Sequence, residues 1–539
     1  MTIDPQAGRP ATPDKLINLA CLLSDFYSLD AEAKVSFGTS GHRGSAFKGA
    51  FNESHVVAIT AAVIEYRALK GHRGPLFLGH DTHALSEPAW RVALSVLAAA
   101  GTPVVISQGR EYAPTPVISF LILEHNRTHP GAMADGLIMT PSHNPPQDGG
   151  IKYNPPNGGP ADLDATGWIQ ERANELLADL ASIKRLPFRK ALQAGCVSVM
   201  DYVGPFVEAL GQVVDLAVVK QSGLKIGADP LGGSGTRYWG PIAERWGLDL
   251  TVVNPRIDVG FSFMSLDYDG IIRMDCSSPY AMANLIRTGG SYDLGIGNDP
   301  DFDRHGIVSG GTLMNPNHYL ATAIDYLLAH RPDWPAEAQI GKTLVSSTLI
   351  DRVVKGAGRR LYETPVGFKW FVQGLLDGGL GFGGEESAGA SFLRRDGRAW
   401  TTDKCGFCMT LLAAEMSART GRLPHEIYGG LTKKYGGTDY SRVDSELTEG
   451  HKAALGRIAP RSLVGSKLAG LDIIEAWDKA PGNQAPIGGL KVTLADGSWF
   501  AVRPSGTEPK MKLYAESLGG PGQLEAILKE SRELLFGGS

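Results

Sequence analysis

The sequence predicts an α/β fold with three similar mixed α/β domains and a smaller α+β C-terminal domain around one central cleft. At 539 residues the chain exceeds what one hydrophobic core usually supports, and about 150 residues per domain gives three to four domains. Strand-like runs alternate with helix-like runs in three successive segments, which favours parallel sheets. In each segment one strand runs into a polar loop marked by Gly or Pro. Because ligands in such sheets bind beyond the carboxyl ends of the strands, the three loops are expected to share one cleft.

The first segment contains three strand-like runs and one helix-like run. PLFLGHD (75–81), TPVVIS (102–107) and DGLIM (135–139) are the strand-like runs, and the last of them runs into TPSHNPP. SEPAWRVALSVLAAAG (86–101) is helix-like, and Ser86 is a candidate N-cap because its hydroxyl can accept a hydrogen bond from an early backbone N–H group.

The next two segments repeat this alternation with different sequences. The regular runs of the second segment are, in order, LKIGADPLGG, the helix-like GTRYWGPIAERWG, LDLTVVN and DLGIG, which runs into NDPDFDRHG. Those of the third segment are KTLVSS, LYETPVGFKW and LGFGG, which runs into EESAG.

The last hundred residues have a different pattern and predict a smaller α+β unit. LKVTLADGSWFAVR (490–503) resembles a hairpin around an Asp-Gly turn, and KMKLYAE (510–516) is a further strand. GQLEAILKESRELLF (522–536) has the periodicity of an amphipathic closing helix. The resulting domain boundaries are 1–205, 206–322, 323–440 and 441–539.

Charge and composition exclude several classes of partner. The net charge of −5 gives no global field that favours nucleic acid or an anionic membrane. The polar N-terminus lacks the apolar stretch of a signal peptide, and no run of about 18 apolar residues occurs, so a cytoplasmic location is expected. Five cysteines do not indicate a disulfide framework. Cys405 and Cys408 form a lone CxxC, for which a zinc or redox role competes with the simpler reading of buried thiols.

TPSHNPP (140–146) presents a serine on a stiff loop after an apolar strand. Its three prolines fix the backbone φ and exclude regular structure around Ser142, as a serine nucleophile requires. His143 is not expected to be its base, because neighbouring side chains on an extended chain point apart. The alternative is a plain proline-rich turn capped by Asn144.

NDPDFDRHG (298–306) places carboxylates at three alternate positions, Asp299, Asp301 and Asp303. Mg²⁺ prefers oxygen ligands and commonly shares its shell with a substrate phosphate. Three clustered carboxylates repel one another without a cation. The sequence therefore predicts a Mg²⁺ site, with a solvated acidic turn as the alternative.

Three further loops combine cations or carboxylates with hydroxyl groups. RPSGTEPKMK (503–512) carries a forked guanidinium that can bind phosphate through two hydrogen bonds, near two hydroxyls and a glycine. FGTSGHRG (37–44) has a similar composition, and GEESAG (384–389) offers a carboxylate and a hydroxyl suited to sugar hydroxyls. Each of these loops, taken alone, is also compatible with an ordinary surface turn.

Taken together and in this order, TPSHNPP, DPDFDR, GEESAG and RPSGTEPK resemble the α-D-phosphohexomutase superfamily. The longer stretch TPSHNPPQDGGIKYNPPNGGPAD, preceded by FGTSGHRG, is similar to the bacterial phosphoglucomutase branch of that superfamily. The resemblance covers the chain from about residue 35 to its end, and a match of four loops in order is far more specific than any one of them.

The resemblance implies a role for each loop. Ser142 would be the phosphoserine and a metal ligand, and the three aspartates would hold Mg²⁺. The residues implied in proton transfer or in polarising the reacting centre are Lys152 and Arg43. Those implied in substrate binding are Ser40, Lys369, Glu385, Ser387, Arg503, Ser505 and Thr507.

The implied reaction interconverts glucose 1-phosphate and glucose 6-phosphate, with Mg²⁺ as cofactor and glucose 1,6-bisphosphate as activator. The implied partners are small hexose phosphates, with a homodimer as the expected assembly. Two details qualify the resemblance. Cys405 stands where an Asp is expected after Lys404. GEESAG lacks the histidine of the phosphomannomutase branch, so activity on mannose phosphates should be secondary at most. A phosphosugar phosphatase and a catalytically silent sugar-phosphate-binding homologue are the alternatives.

Overall fold

Each of the four units is built on one β-sheet in the computed structural model, which describes residues 3–38, 41–504 and 510–537. Three sheets are mixed and the fourth is antiparallel, so the predicted fold class is confirmed. In the part of the chain that the structure describes, no helix is both long and apolar enough to cross a membrane.

The first unit is a six-stranded sheet covered by helices. Its strands are β1 (His42–Ser45), β2 (Leu76–His80), β3 (Val104–Ser107), β4 (Asp135–Met139), β5 (Asp148–Asn154) and β6 (Val197–Met200). Its helices are α1 (Leu19–Ser28), α2 (Glu53–Lys70), α3 (Ser86–Ala99), α4 (Thr115–Thr128), α5 (Leu163–Leu177) and α6 (Phe188–Ala191). The strand order is β1-β5-β4-β2-β3-β6, with β2, β3, β4 and β6 parallel to one another.

The second and third units repeat this design on smaller sheets. The second contains α7 (Val203–Ala209), α8 (Leu216–Ser222), β7 (Ile226–Asp229), α9 (Trp239–Trp246), β8 (Leu250–Val252), α10 (Ala283–Thr288), β9 (Leu294–Gly297), β10 (Gly306–Ser309) and β11 (Thr312–Leu313). The third contains α11 (Pro316–His330), β12 (Gln339–Thr343), α12 (Leu349–Gly356), β13 (Leu361–Thr364), α13 (Val372–Asp377), β14 (Leu380–Glu385), β15 (Gly389–Phe392), α14 (Gly406–Thr420) and α15 (Pro424–Tyr435).

The same kind of hairpin carries the chemical loop in all three mixed sheets. A strand that is parallel to its neighbour ends, the loop follows, and the chain returns as an antiparallel strand. The three hairpins are β4–β5 around TPSHNPP, β9–β10 around NDPDFDRHG and β14–β15 around EESAG. Because each loop follows the carboxyl end of a strand, one local arrangement presents all three sets of side chains.

The fourth unit is a six-stranded antiparallel sheet with two helices. Its elements are β16 (Asp439–Glu446), α16 (Glu449–Arg457), β17 (Lys467–Leu468), β18 (Leu471–Lys479), β19 (Pro486–Leu494), β20 (Trp499–Pro504), β21 (Lys510–Ser517) and α17 (Pro521–Phe536). The predicted hairpin is the β19–β20 pair, and the predicted closing helix is α17.

Aromatic side chains from the first three units share one core. Phe120 of α4 lies 5.0 Å from Trp400, and Phe206 of α7 lies 5.4 Å from Phe407 of α14, as measured between ring centroids. Phe302 of the aspartate loop lies 4.5 Å from the same Phe407. These contacts bury large apolar surfaces, and they fix the relative positions of the loops at the edge of that core.

The expected domain boundaries stay predictions, and each of them falls inside a regular element. Residue 205 lies in α7, residue 322 in α11 and residue 440 in β16.

Three local expectations also differ from the structure. Ser86 is not an N-cap: it lies inside α3, whose N-cap position is Leu85, because the Ser86 hydroxyl donates to Asp81 instead. The run KTLVSS is a strand only as far as Thr343, where the chain turns towards α12. The helix expected at 235–247 begins only at Trp239, since the glycine-containing stretch before it forms a turn.

Candidate active site

The serine loop and the aspartate loop meet directly. The Ser142 hydroxyl donates to Asp299 Oδ2 over 2.9 Å, although the two residues are far apart in sequence. Both side chains are fully buried. The expectation that these strand-end loops share one cleft is therefore confirmed for the first two units.

Ser142 has a left-handed backbone conformation, with φ of +59°. This conformation costs an L-residue on the order of 1–2 kcal/mol, so the surrounding structure must hold it. The Ser142 N–H donates to Thr140 Oγ1 over 2.8 Å. The β5 strand passes so close that a Cβ added at Gly150 would lie 2.3 Å from the Thr140 carbonyl oxygen, which explains the glycine there.

The same conformation corrects the expectation for His143. Its Nδ1 lies 3.4 Å from Ser142 Oγ, so the two side chains do not point apart. The expectation assumed an extended chain, whereas the left-handed residue turns the backbone and brings the ring back beside the hydroxyl. Burial, and then the charge of Arg304, hold the pKa of His143 well below its usual value, so its ring is neutral.

The three aspartates form a compact, buried set of oxygen ligands. One carboxylate oxygen from each of Asp299, Asp301 and Asp303 lies within 4.8 Å of the others. Asp301 Oδ1 and Asp303 Oδ1 have no hydrogen-bond partner among the described residues. Buried, unpartnered carboxylate oxygens that converge are the donor set that suits a hard divalent cation such as Mg²⁺.

The charges of the cluster are incompletely compensated by the protein. Burial, and then the carboxylates of Asp301 and Asp303, raise the pKa of Asp299 well above its ordinary value. Burial also opposes ionisation of Asp303, but the cations Lys152 and Lys404 outweigh it and lower the pKa of this carboxyl. A divalent cation would remove the repulsion that acts on Asp299.

Two lysines approach the aspartates from different units. Lys152 of β5 donates to Asp301 Oδ2 over 2.6 Å and to Asp303 Oδ2 over 3.1 Å. Lys404, just ahead of α14, lies 3.0 Å from the same Asp303 oxygen. Arg43 lies on β1, the strand next to β5, and donates to Asn144 Oδ1 of the serine loop over 3.2 Å. The structure thus places Arg43 against the serine loop and Lys152 against the aspartate loop.

Of the candidates for binding the sugar, Glu385 and Ser387 lie on the β14–β15 hairpin, whereas Lys369 lies between β13 and α13. Glu385 ends β14, and its Oε1 accepts the Gly367 N–H over 3.0 Å. Burial raises the pKa of Glu385, and the nearby Lys404 ammonium partly offsets this. Ser387 is half-buried in the turn between β14 and β15. Lys369 is half-buried beside Trp370, with its ammonium 5.5 Å from the indole centroid.

The phosphate-loop candidates are only partly described. Arg503 is half-buried on β20, opposite Lys512 of β21, and its Nε has no hydrogen-bond partner among the described residues. Ser505 and Thr507 of this loop, and Ser40 of FGTSGHRG, lie outside the described residues.

Helix α4 contributes site contacts that the sequence did not reveal. The Thr115 hydroxyl at its start donates to Asp301 Oδ2 over 2.6 Å, and the Thr115 N–H donates to the Asp301 carbonyl over 2.9 Å. One turn later, Ser119 Oγ accepts the N–H groups of Thr402 and Asp403, each over 3.2 Å. Thr115 is the first residue of α4 and precedes Pro116 in the first turn, and this start signal was the only local cue to its position.

The two cysteines of the CxxC pair are buried at the start of α14. Cys405 and Cys408 are both fully buried, with their sulfur atoms 2.8 Å apart. Cys405 is the N-cap of α14, where its sulfur accepts the Cys408 N–H over 3.4 Å. A sulfur cap in place of an Asp still leaves Lys404 against Asp303, so the departure from the family pattern keeps that contact.

Family models match the chain in four successive parts. They are phosphoglucomutase/phosphomannomutase alpha/beta/alpha domain I over residues 34–178, domain II over 204–311, domain III over 315–435, and the C-terminal domain over 463–534. A Komagataeibacter xylinus protein named phosphoglucomutase is 51% identical over 541 residues, which cover 99% of this chain and 97% of that protein. The chain belongs to the α-D-phosphohexomutase superfamily.

Other members of the superfamily are more distant. A Thermococcus kodakarensis protein named phosphoglucomutase/phosphomannomutase is 26% identical over 488 residues, covering 89% of this chain and 94% of the relative. The open form of a Paramecium phosphoglucomutase, parafusin, shares the fold with a TM-score of 0.73 at 22% identity, covering 94% of this chain and 95% of that one. A Burkholderia thailandensis phosphoglucomutase/phosphomannomutase family protein shares it with a TM-score of 0.69 at 18% identity, covering 93% and 98%.

Proposed function

We propose that this phosphohexomutase interconverts glucose 1-phosphate and glucose 6-phosphate through a phosphoserine at Ser142 and a glucose 1,6-bisphosphate intermediate. The contact of the Ser142 hydroxyl with the aspartate cluster carries the proposal, because it places a nucleophile beside a site for a divalent cation. The similarity to a protein named phosphoglucomutase over nearly the whole chain supports glucose phosphates as the substrates.

Asp299, Asp301 and Asp303 would hold Mg²⁺, with an oxygen of Ser142 or of its phosphoryl group as a further ligand. When bound, Mg²⁺ neutralises charge on the transferring phosphoryl group. Thr115 and Lys152 keep the Asp301 carboxylate in place from two directions. Because phosphoryl transfer depends mainly on positioning and charge compensation, this fixed arrangement matters more than covalent help from the protein.

The other candidate residues have different proposed roles in proton transfer, sugar binding and phosphate binding. Lys152 and Arg43 are proposed to stabilise charge and to assist proton transfer at the sugar hydroxyl. Glu385 and Ser387, with Lys369 nearby, are proposed to bind sugar hydroxyls. Arg503, together with Ser505, Thr507 and Ser40, is proposed to bind the phosphate that is not being transferred, because a guanidinium can hold two phosphate oxygens at once.

The reaction then proceeds in two half-cycles. Phosphorylated Ser142 gives its phosphoryl group to the free hydroxyl of the hexose phosphate, and glucose 1,6-bisphosphate forms. This intermediate reorients by half a turn in the site. Its other phosphoryl group then returns to Ser142, which regenerates the phosphoserine. Added glucose 1,6-bisphosphate would act as an activator because it can phosphorylate an enzyme that has lost the group.

The decisive experiment measures conversion of glucose 1-phosphate to glucose 6-phosphate with Mg²⁺ and catalytic glucose 1,6-bisphosphate, coupled to a dehydrogenase. Ser142→Ala should lower kcat on the order of 10⁴-fold or more, because the covalent route is removed. Ser462→Ala, at an exposed serine in the fourth unit, is the matched control and should keep wild-type turnover. Release of inorganic phosphate in place of isomerised sugar would favour a phosphatase. Tight sugar-phosphate binding without turnover by wild type would favour a silent homologue.

The domain organisation proposed here follows the four sheets. The boundaries lie near residues 202, 314 and 437, in the connections before α7, α11 and β16. The cytoplasmic location and the homodimer expected from the sequence stay predictions.

A further inference from the structure

An ion pair lies beneath the serine loop and takes no part in the mechanism above. Asp81 follows β2, and His83 comes two residues later; both side chains are buried. The His83 Nδ1 lies 2.9 Å from Asp81 Oδ2, and the His83 Nε2 lies 3.0 Å from the Asn144 carbonyl oxygen. His83 therefore connects the end of one strand to the residue two positions after Ser142.

The partners of His83 require it to carry a proton on both ring nitrogens. A carbonyl oxygen can only accept a hydrogen bond, so Nε2 must donate to Asn144. The Asp81 carboxylate already accepts from Ser86 Oγ and from Thr140 Oγ1, each over 2.6 Å, and from the His83 N–H over 2.9 Å. A carboxylate surrounded by donors is ionised, so Nδ1 must donate as well. His83 is thus an imidazolium, and the buried pair is neutral overall.

Charge and hydrogen bonding agree with this assignment. Burial alone would raise the pKa of Asp81, but the His83 charge and the hydroxyl donors outweigh it and hold the pKa below its usual value. Burial also opposes the charge on His83, but Asp81 outweighs it and raises the pKa of the imidazole.

Asp81 and His83 support the serine loop on both sides of Ser142, through Thr140 and Asn144. On one side, Asp81 accepts the Thr140 hydroxyl, whose oxygen accepts the Ser142 N–H over 2.8 Å. On the other side, His83 holds the Asn144 carbonyl. The residue between these two anchors has the left-handed φ of +59° that requires support.

We propose that Asp81 and the His83 imidazolium are positioning residues that hold the Ser142 nucleophile in its left-handed conformation for phosphoryl transfer. The proposal rests on the proposed mutase function for its kinetic consequence, but its structural part is independent of it. Ser142 is oriented through Thr140 and Asn144, so neither Asp81 nor His83 needs to touch the substrate. Loss of either anchor lets the loop relax and moves the hydroxyl away from Asp299.

The test compares variants that break an anchor with variants that keep it. Thr140→Val removes the hydroxyl at nearly constant shape, and Thr140→Ser restores it. His83→Gln removes the second anchor, and Thr128→Val is the control because it makes the same chemical change as Thr140→Val at an exposed threonine that ends α4. Mutase kinetics give kcat and KM separately, and hydrogen exchange of the peptide spanning residues 137–148 includes the Ser142 amide.

We expect Thr140→Val and His83→Gln to lower kcat on the order of 10²-fold with little change in KM, because a displacement of about 1 Å at the reacting group has this effect. Their loop peptide should exchange faster, whereas Thr140→Ser and Thr128→Val should resemble wild type in both measurements. Wild-type kcat and exchange in Thr140→Val and His83→Gln would overturn the proposal, as would a loss of kcat matched by Thr128→Val. If wild type lacks mutase activity, the proposed function fails, while the exchange comparison still decides whether the pair holds the loop.

Discussion

At the scale of single residues, the His83–Asp81 pair predicts a specific dependence of stability on pH. His83 faces Asp81 directly, lies close enough to Asp148 to be influenced by its charge, and contacts the Phe261 ring at 4.9 Å between centroids. Its pKa is raised in the folded protein, whereas an unfolded histidine titrates near 6.5. Above that value the unfolded chain has released the proton that the folded protein still binds, so stability falls as the pH rises.

The stabilisation from His83 is therefore fully present below about pH 6.5 and is lost as the pH rises through the raised folded pKa. Asp81 has a lowered pKa, so its contribution is present above about pH 3.9 and is lost as the pH falls through the folded value. We expect the urea midpoint of wild type to decline in mildly alkaline buffer and that of His83→Gln to decline less. Parallel declines in the two proteins would contradict the assignment.

The serine loop also shows which features of single residues cannot be predicted from the sequence. Three prolines predicted a loop without regular structure around Ser142, and the chain forms only turns and irregular backbone between β4 and β5. The left-handed φ of Ser142 was not predictable, since serine has no preference for it and tertiary contacts impose it. The position of His143 followed from that one angle. Local composition thus predicted the irregular backbone of the loop but not the direction of its side chains.

At the scale of elements, α4 of the first unit contacts loops of the second and third units. Thr115 at its start binds the aspartate loop, and Ser119 one turn later binds the backbone of the segment that carries Lys404. The alternation of strands and helices predicted the sheets and the loops at the strand ends. It could not predict these contacts, because residues more than a hundred positions apart meet only when the domains pack.

The Thr115 contact predicts a change in metal dependence. Thr115→Val keeps the shape of the side chain but removes the hydrogen bond to Asp301 Oδ2, so this carboxylate loses one of its fixed partners. Loss of such an outer partner typically weakens metal binding about 10–100-fold. We expect Thr115→Val to need a correspondingly higher Mg²⁺ concentration for half-maximal activity after chelator treatment.

Thr115→Ser retains the hydroxyl and is the matched control, which should titrate with Mg²⁺ like wild type. If Thr115→Val also reaches half-maximal activity at the wild-type concentration, the hydroxyl does not orient the metal ligand. A fall in maximal activity at saturating Mg²⁺ without a shift in the midpoint would likewise contradict the prediction.

At the scale of the whole molecule, the fourth unit is attached to the third through buried polar contacts as well as apolar packing. Glu516 of β21 accepts from Thr348 N and Oγ1 over 2.7 and 2.8 Å, and from Trp499 Nε1 over 2.9 Å. Lys491 of β19 donates over 2.6 Å both to the Leu344 carbonyl and to Glu363. The unit that carries Arg503 is therefore held against the sugar-loop unit by charged side chains removed from water.

Glu516→Gln should loosen this attachment selectively. Burial opposes ionisation of Glu516, but its donors outweigh burial and lower its pKa, so the native side chain is a carboxylate. A glutamine presents an N–H₂ group to some of those donors, and the loss of hydrogen bonds to a buried charge costs about 2–3 kcal/mol. We expect faster hydrogen exchange in β21 and at the start of α12, and earlier proteolysis at residues 436–438, which connect α15 to β16.

Apart from the start of α12, the first three units should keep wild-type exchange, because their shared aromatic core does not include Glu516. Glu525→Gln is the matched control, since Glu525 is exposed on α17 and the same chemical change there removes no interdomain contact. Catalysis adds a further criterion: KM for glucose 1-phosphate should rise more than kcat falls if Arg503 binds the distal phosphate from a unit that is now less firmly held. A uniform loss of protection across all four units would mean that Glu516 supports the whole fold rather than the attachment of the fourth unit.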